Sequence, residues 1–378
     1  MLTKLFKAAC PAMIVALTVS CGGKGEGRYT AMEGDTLTNR AELLTLVDKG
    51  AFVSAEIADP WNDGKTLGRY ALVKRNKPVP EGLDKEYTVV TVPLERSIIY
   101  SSTNSAAIAE LDALDAIAGV AEGQYYADSD TISRLMASGR ITDIGSSVSP
   151  KPETIVDLEP DAILVSPYQN AGHGVIGELG VPIIDFADYM ETEPLARAEW
   201  IKLLGELYDR RELAQSVYSQ VSADYQALVS EAAKQPEHPR VIVETLTSGV
   251  WYMPGGRSYM ARMLTDAGAD YPWRDDESTG SLQLDMASVI DRASDADIWL
   301  MRTFGYMPTR DKLLDISPLS DRFKAFKDGR VYACDTKERP VFNDIAFHPE
   351  RVLLDYIIIF HPDFMPGVET LYYKQIEQ

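Results

Sequence analysis

Two stretches of the chain share one pattern, in which a short amphipathic helix is followed at once by a run of apolar residues. The first spans residues 153–166 and the second residues 287–301. In each, an acidic residue, Asp161 or Asp297, stands directly before the apolar run. Such a run, bounded by turn signals, is typical of a strand buried on both faces of a parallel sheet. The pattern predicts two α/β units.

A long helical pattern lies between these units. Apolar residues recur there at helical spacing, among them Leu213, Val217, Val221, Tyr225 and Leu228. Gly205 and residues 209–211 mark a break or bend, and Pro236 ends the pattern. At 1.5 Å per residue, positions 210–234 would extend roughly 36 Å. Two α/β units joined by a helix enclose a cleft, which is an architecture for binding.

The chain before the first unit has strand patterns of its own. Residues 51–57 and 69–73 flank a turn at 59–64 and predict a hairpin. The fold class is therefore α/β, with two lobes of mostly parallel sheets, a rigid connecting helix and an N-terminal β-hairpin extension. The predicted organisation is a signal peptide at 1–20, a tether and β-rich extension at 21–85, an N-terminal lobe at 86–190, a linker helix at 191–235 and a C-terminal lobe at 236–378.

The first twenty residues have the features of a secretory signal. Lys4 and Lys7 precede an apolar stretch at 11–19 that is too short to span a bilayer, and Cys21 follows. Residues 17–21 resemble a lipobox, although Thr18 stands where the bacterial pattern usually has Leu. The Gly-rich segment 22–27 would serve as a tether. We expect acylation of Cys21 and a periplasmic protein anchored to a membrane of a Gram-negative bacterium; an ordinary signal peptide with an incidental Cys is the alternative.

The charge of the chain excludes several classes of partner. Loss of Lys4 and Lys7 with the signal takes the formal charge from −20 to −22. Nucleic acids and anionic lipid surfaces need basic patches, so neither is expected as a partner, and contact with the membrane would be through the lipid anchor alone. The mature chain cannot build a disulfide framework, because Cys334 has no partner except the acylated Cys21.

Taken in order, the landmarks resemble those of substrate-binding lipoproteins of ABC importers for iron complexes and vitamin B12. The similarity covers about residues 87–362. In the first lobe it rests on residues 98–104, 114–120, 144–146, 153–166, 179–183 and 203–208, and in the second on residues 252–256, 263–268 and 326–332.

The resemblance implies a ligand held between the lobes and small closure, since a helix resists bending. It also implies docking on the subunits of an inner-membrane permease, with its ATPase, through one acidic residue per lobe. Glu153 matches the first position. The second motif position is Thr265, so its neighbour Asp266 is a substitute. The alternative is that Glu153 is simply an acid at the N-terminus of a helix, where the helix dipole favours a negative charge.

Ligand contacts are expected from loops at the carboxyl ends of the strands, where open α/β sheets bind. Aromatic faces suit a large flat ligand, and arginines suit its carboxylates or catechol oxygens. The predicted ligand-binding residues are Thr103, Asn104, Tyr125, Tyr126, Tyr168, Trp251, Tyr252, Arg302, Phe304 and Arg339. A ferric siderophore is the preferred ligand; cobalamin or haem is the alternative.

Other functions are less consistent with the sequence. Of four histidines, only His173 is placed to reach the cleft, so a bare metal site is not expected, and no resident cofactor is expected either. A chelatase-like enzyme would need a Cys cluster, a phosphate loop or a nucleophile elbow, and none is present in the sequence. A surface lipoprotein that hands siderophores to a receptor is the third alternative; the tether lacks the acidic run that would favour export.

Overall fold

The computed structural model describes residues 34–126, 131–339 and 341–377, so the predicted signal peptide and Cys21 lie outside the described residues. The extension forms a five-stranded sheet in the order β1-β2-β3-β4-β5. Its strands are β1 Asp35–Thr36, β2 Leu44–Asp48, β3 Val53–Ala58, β4 Thr66–Lys74 and β5 Thr88–Val92. The predicted hairpin is confirmed, because β3 and β4 pair antiparallel. The sheet also takes in β5, parallel to β4, and so reaches past the expected boundary at residue 85.

Two buried carboxylates fasten this extension to the connecting helices. Glu199, which is fully buried, accepts hydrogen bonds of 2.7–3.1 Å from the backbone N–H groups of residues 39–41. It also forms an ion pair of 2.7 Å with Lys202. Glu191 accepts hydrogen bonds of 3.0 Å from the N–H groups of residues 42 and 43. Buried polar groups need such partners, so these contacts hold the extension in one position on the connecting helices.

The first lobe is built on a parallel sheet in the order β12-β11-β6-β7-β8. Its elements are β6 Ser97–Ile99, α1 Ser102–Glu110, β7 Ile117–Val120, α2 Thr131–Ala137, β8 Thr142–Asp143, β9 Gly145–Ser146, β10 Ser149–Pro150, α3 Pro152–Asp157, β11 Ala162–Val165 and β12 Ile183–Asp185. The strand order reverses between β6 and β11. The loops that follow these two strands therefore diverge and leave a crevice at their carboxyl ends.

Three helices connect the lobes: α4 Pro194–Ala198, α5 Ile201–Leu207 and α6 Arg211–Ala232. The predicted break before the long helix is confirmed, since Asp209 has a φ of 55°. At 22 residues, α6 is about 33 Å long. Its buried side chains are Ala214, Tyr218, Val221, Tyr225, Leu228 and Ala232. Leu213 is exposed, and the helix turns Ala214 and Tyr218 inward in place of Leu213 and Val217.

The second lobe combines a four-stranded sheet, β13-β17-β18-β19, with a three-stranded antiparallel sheet, β14-β15-β16. Its elements are β13 Val241–Val243, β14 Leu246–Thr247, β15 Val250–Pro254, α7 Tyr259–Asp266, β16 Ser281–Leu284, α8 Met286–Ala293, β17 Ile298–Thr303, α9 Arg310–Ile316, α10 Lys324–Lys327, β18 Val331–Asp335, α11 Val341–Ile345, α12 Pro349–Phe360 and β19 Lys374–Gln375. β13, β17 and β18 are parallel, and β19 is antiparallel to β18.

The acid of the repeated pattern makes the same contact in both lobes. Asp161, just before β11, accepts hydrogen bonds from the N–H groups of Glu95 and Arg96, and its own N–H donates to the Arg96 carbonyl. Asp297, just before β17, accepts from the Arg240 N–H and donates to the Arg240 carbonyl. Each acid thus ties together the starts of two neighbouring parallel strands, which gives the sequence repeat its physical reason.

Candidate functional site

A chamber of about 490 Å³ lies between the lobes, at the carboxyl ends of their strands. Its walls come from both sides of the cleft: Tyr100, Ser101, Ser102, Thr103, Ala121, Glu122, Tyr125, Tyr126 and Ser166 of the first lobe, and Phe304, Thr336, Phe342 and Asn343 of the second. The first-lobe residues follow β6, β7 and β11, which is where the sequence analysis expected ligand contacts. A pocket of this volume lies in the usual range for small-molecule sites.

Aromatic rings and a hydrogen bond connect the two walls of this chamber. The rings of Tyr125 and Phe304 meet edge to face, with centroids 5.7 Å apart. Both side chains are about half exposed, at 57% and 49%. The Thr103 hydroxyl donates a hydrogen bond of 2.9 Å across the cleft to the carbonyl of Phe342. The structure therefore places three of the predicted residues together in one interlobe wall.

Two tyrosines of the first lobe line the chamber. Tyr126 is buried, and its hydroxyl lies 2.8 Å from the Ser105 hydroxyl. The Tyr100 hydroxyl is buried and has no hydrogen-bond partner in the described part of the chain. Burial raises the pKa of Tyr100 to about 12, so the hydroxyl stays protonated.

A second chamber of about 480 Å³ adjoins the first, and Phe342 lines both. Tyr252, Arg302 and Glu244 contribute to its walls. The Arg302 guanidinium donates to the Glu244 carboxylate, with Nε 2.7 Å from Oε1, and lies 5.1 Å from the centroid of the Phe342 ring. Burial acts to lower the pKa of Arg302, but Glu244 reverses this and raises it. Arg302 is thus at the cleft as expected, with its charge already compensated.

Two predicted ligand residues need correction, because the structure uses their side chains elsewhere. Trp251 is fully buried, stacks on Trp299 at 5.5 Å and donates from Nε1 to the Val243 carbonyl. The Arg339 guanidinium donates to the carbonyl of Leu371 at 2.7 Å, in the C-terminal segment.

Asn104 is 1% exposed and lines neither chamber. Neither atom of its amide has a hydrogen-bond partner among the described residues. Tyr168 is exposed at 59%, but it too is absent from the walls of both chambers. Neither residue touches a guest held in the chambers in this arrangement of the lobes.

The two predicted docking acids differ in their surroundings. Glu153 is exposed in the first turn of α3, directly after Pro152. Asp266 is not free: its carboxylate accepts hydrogen bonds of 2.9 Å from the Tyr225 hydroxyl and from Nε of Arg262. Only 12% of its side chain is exposed, and burial raises its pKa despite these bonds. Asp266 is therefore less available to a partner than Glu153, and its docking role stays a prediction.

His173 has a local partner on the first lobe. Its Nε2 lies 2.9 Å from Oδ1 of Asp185 at the end of β12, and this hydrogen bond raises the pKa of His173. Asp185 is also bonded to the extension, since its backbone N–H donates a hydrogen bond to the Tyr70 hydroxyl. Within the described ranges, no group of three or more His, Cys, Asp or Glu side chains could hold a metal ion.

Several chamber residues were missed from the sequence. Glu122 and Ser166 immediately follow strand patterns, so the rule that pointed to the neighbouring loops would have found them too. Phe342 and Asn343 lie on α11, a helix of five residues with too few apolar positions to show a period.

The described chain has no helix with the length and apolarity needed to cross a membrane.

Comparison with known proteins agrees with this architecture. The sequence profile of the family described as "Periplasmic binding protein" matches residues 98–338, more than half of the chain. An uncharacterized lipoprotein of Methanocaldococcus jannaschii is 27% identical over 344 residues, which is 85% of this chain and 81% of the relative. A second lipoprotein of that organism is 26% identical over 335 residues, 83% of each chain.

Solved structures show the same fold. A periplasmic heme binding protein from Pseudomonas aeruginosa superposes with a TM-score of 0.58 and 17% identity, over 75% of this chain and 99% of that one. An ABC-type Fe3+-hydroxamate transport protein from Saccharomonospora viridis gives a TM-score of 0.55 and 19% identity, over 71% and 94%. At these identities the likeness concerns the fold alone. The family match, over more than half of the sequence, shows that the chain belongs to the periplasmic binding protein family.

Proposed function

We propose that this protein captures a bulky metal chelate between its lobes and delivers it to the permease of an ABC importer. The observation that carries the proposal is the interlobe chamber walled by Tyr100, Tyr125 and Phe304, since aromatic faces suit the large surface of such a guest. A ferric siderophore is our first choice of ligand. Cobalamin or haem is the second, because solved structures that share this fold are named as a vitamin B12 binding protein and a heme binding protein.

The arginines no longer support this choice. Arg302 is paired with Glu244, and Arg339 is bonded to the carbonyl of Leu371. The case for a chelate therefore rests on the aromatic and hydroxyl groups of the chamber. We propose that the protein makes and breaks no covalent bond in the ligand.

Calorimetric titration with a panel of ferric siderophores, haem and cobalamin tests the proposal. Tyr125→Ala should weaken binding of the best ligand about tenfold, because loss of an aromatic contact of this kind costs on the order of 1.5 kcal/mol. Tyr168→Ala is the matched control, since Tyr168 is equally exposed but lies outside both chambers, and it should leave the affinity unchanged. Equal losses in both variants would place the guest elsewhere.

We further propose that Glu153 contacts the permease. Its carboxylate is exposed on α3 and carries no ion pair among the described residues, so it is available to an arginine of a partner. Glu153→Gln should reduce uptake by cells while leaving ligand affinity intact. Asp157→Asn, an exposed acid on the same helix, is the control. Unchanged uptake in the Glu153 variant would contradict docking through this residue.

Anchoring through an acylated Cys21 is also a proposal, which the names of the two Methanocaldococcus jannaschii lipoproteins support. Those relatives are archaeal, so a Gram-negative envelope stays a prediction. Cys21→Ser should move the protein from the membrane fraction to the soluble fraction. Protease added to intact cells should spare the protein; digestion would favour the surface lipoprotein instead.

A further inference from the structure

The charges in the walls of the cleft bear on the kind of chelate it accepts. Among the described residues that line the first chamber, Glu122 is the one with a charged side chain. In the second chamber, Glu244 and Arg302 form an ion pair and cancel. The walls of the two chambers together therefore carry a net negative charge, which comes from Glu122.

Glu122 is held in place by its own hydrogen bonds. Its Oε1 accepts from the backbone N–H and the hydroxyl of Ser147, each at 2.8 Å, and Oε2 accepts from the Gln124 amide at 3.1 Å. Residue 122 has a φ of 56°, a left-handed conformation that is uncommon for Glu. These contacts fix the carboxylate at the chamber wall. They do not neutralise it, since all three donors are uncharged.

The remaining polar groups of the first chamber are neutral. They are the hydroxyls and one amide of Ser101, Ser102, Thr103, Ser166, Thr336 and Asn343. Such groups can hydrogen-bond to carbonyl, hydroxamate or amide oxygens of a guest, and the rings can cover its methylene chains. A guest with several negative charges would find no cation among the described residues that line this chamber to offset its loss of hydration.

We infer that the cleft selects a metal chelate without net negative charge, of the ferric tris-hydroxamate or corrinoid class, and rejects tris-catecholates. The inference rests on the proposed function, because it presumes that the guest is a chelate. Three hydroxamates neutralise Fe3+, whereas three catecholates leave a trianion. A unit charge about 8 Å from another changes an affinity roughly twofold with water-like screening and roughly thirtyfold with protein-like screening. Glu122 repels each of the three negative charges of a ferric tris-catecholate, so the loss of affinity is larger for a trianion than for a single charge.

The test is a calorimetric titration of the purified protein with four probes: cationic ferrioxamine B, neutral ferrichrome, trianionic ferric enterobactin and cyanocobalamin. We expect a hydroxamate complex or cyanocobalamin to bind at least tenfold tighter than ferric enterobactin. Comparing the affinities of ferrioxamine B and ferrichrome with that of cyanocobalamin then identifies the class of chelate. Ferric enterobactin binding as tightly as every other probe would overturn the inference and leave the proposed function standing. No binding by any of the four would overturn the inference, and no binding of haem either would overturn the proposed function as well.

Glu122→Gln isolates the charge, because it keeps the shape of the side chain. Binding of the cationic complex should weaken about threefold or more, binding of ferrichrome should not change, and ferric enterobactin should bind more tightly. Glu153→Gln, an exposed acid outside both chambers, is the control and should alter none of the three. Should the Glu122 variant fail to fold, added salt serves on the unaltered protein: it should weaken ferrioxamine B and leave ferrichrome unaffected. Identical salt responses of the two would contradict the inference.

Discussion

His348 joins the two lobes through a pair of carboxylates, and its replacement by Gln gives a sharp test of the structure. Its Nε2 lies 2.7 Å from Oε2 of Glu110, at the end of α1 in the first lobe. Its Nδ1 lies 3.0 Å from Oε1 of Glu350, at the start of α12 in the second lobe. Burial acts to lower the pKa of His348, but the hydrogen bonds to both carboxylates outweigh it and raise the pKa to about 9.

The raised pKa fixes the sign and the size of the effect. Below the unfolded-state pKa of about 6.5, the imidazole is protonated in both states, and the stabilisation is complete. As the pH rises from about 6.5 to about 9, the unfolded chain loses the proton while the folded chain keeps it, so the stabilisation falls; above about 9 it is lost. A shift from 6.5 to about 9 corresponds to on the order of 3 kcal/mol.

Urea unfolding of the protein and of His348→Gln at about pH 6 and about pH 10 measures this contribution. The difference in the free energy of unfolding between the two proteins should shrink by about 2–3 kcal/mol as the pH rises. His238→Gln is the control, since His238 is exposed and hydrogen-bonds to the carbonyl of Gly268 instead. A difference that stays the same at both pH values would refute the ion pairs of His348 with Glu110 and Glu350.

Two further predictions concern buried ion pairs. Glu199→Gln should lower the free energy of unfolding by about 3 kcal/mol in urea titrations, because it leaves Lys202 buried without its carboxylate; a loss below 1 kcal/mol would show that the extension is not held there. Arg302→Met should cost a similar amount, about 3 kcal/mol, by leaving Glu244 unpaired. Adding Glu244→Gln to that variant should restore much of the stability, and no restoration would contradict the pairing.

The lobes and the connecting helix were predictable because each rests on a local pattern. The acids before β11 and β17 both hold the start of a neighbouring strand, so the repeat in the sequence reflects one repeated contact. The long helix was found from apolar spacing and the prolines that end it. Only the start of its inward face differs from the prediction: Ala214 and Tyr218 are buried and Leu213 is exposed, because neighbouring positions on a helix differ by about 100° and packing decides between them.

The candidate site was predictable in place but not in every residue. Trp251 belongs to β15, where successive side chains alternate: it points inward, and Tyr252 points outward to line the second chamber. Residues 250–254 are apolar or aromatic throughout, so the sequence did not show which ring points inward. The pairing of Arg302 was not predictable either, because Glu244 lies 58 positions away and no local pattern connects them. The same holds for Thr103 and Phe342, which meet only when the lobes come together.

The central claim is that one chelate sits between the lobes, against Tyr100 and Tyr125 on one side and Phe304 on the other. A crystal grown with the tightest-binding ferric complex, measured at the iron absorption edge, tests it most directly. The expected result is a single anomalous peak inside the interlobe chamber, within contact distance of side chains from both lobes. An iron peak on the outer surface, or an empty chamber at saturating chelate, would contradict the account.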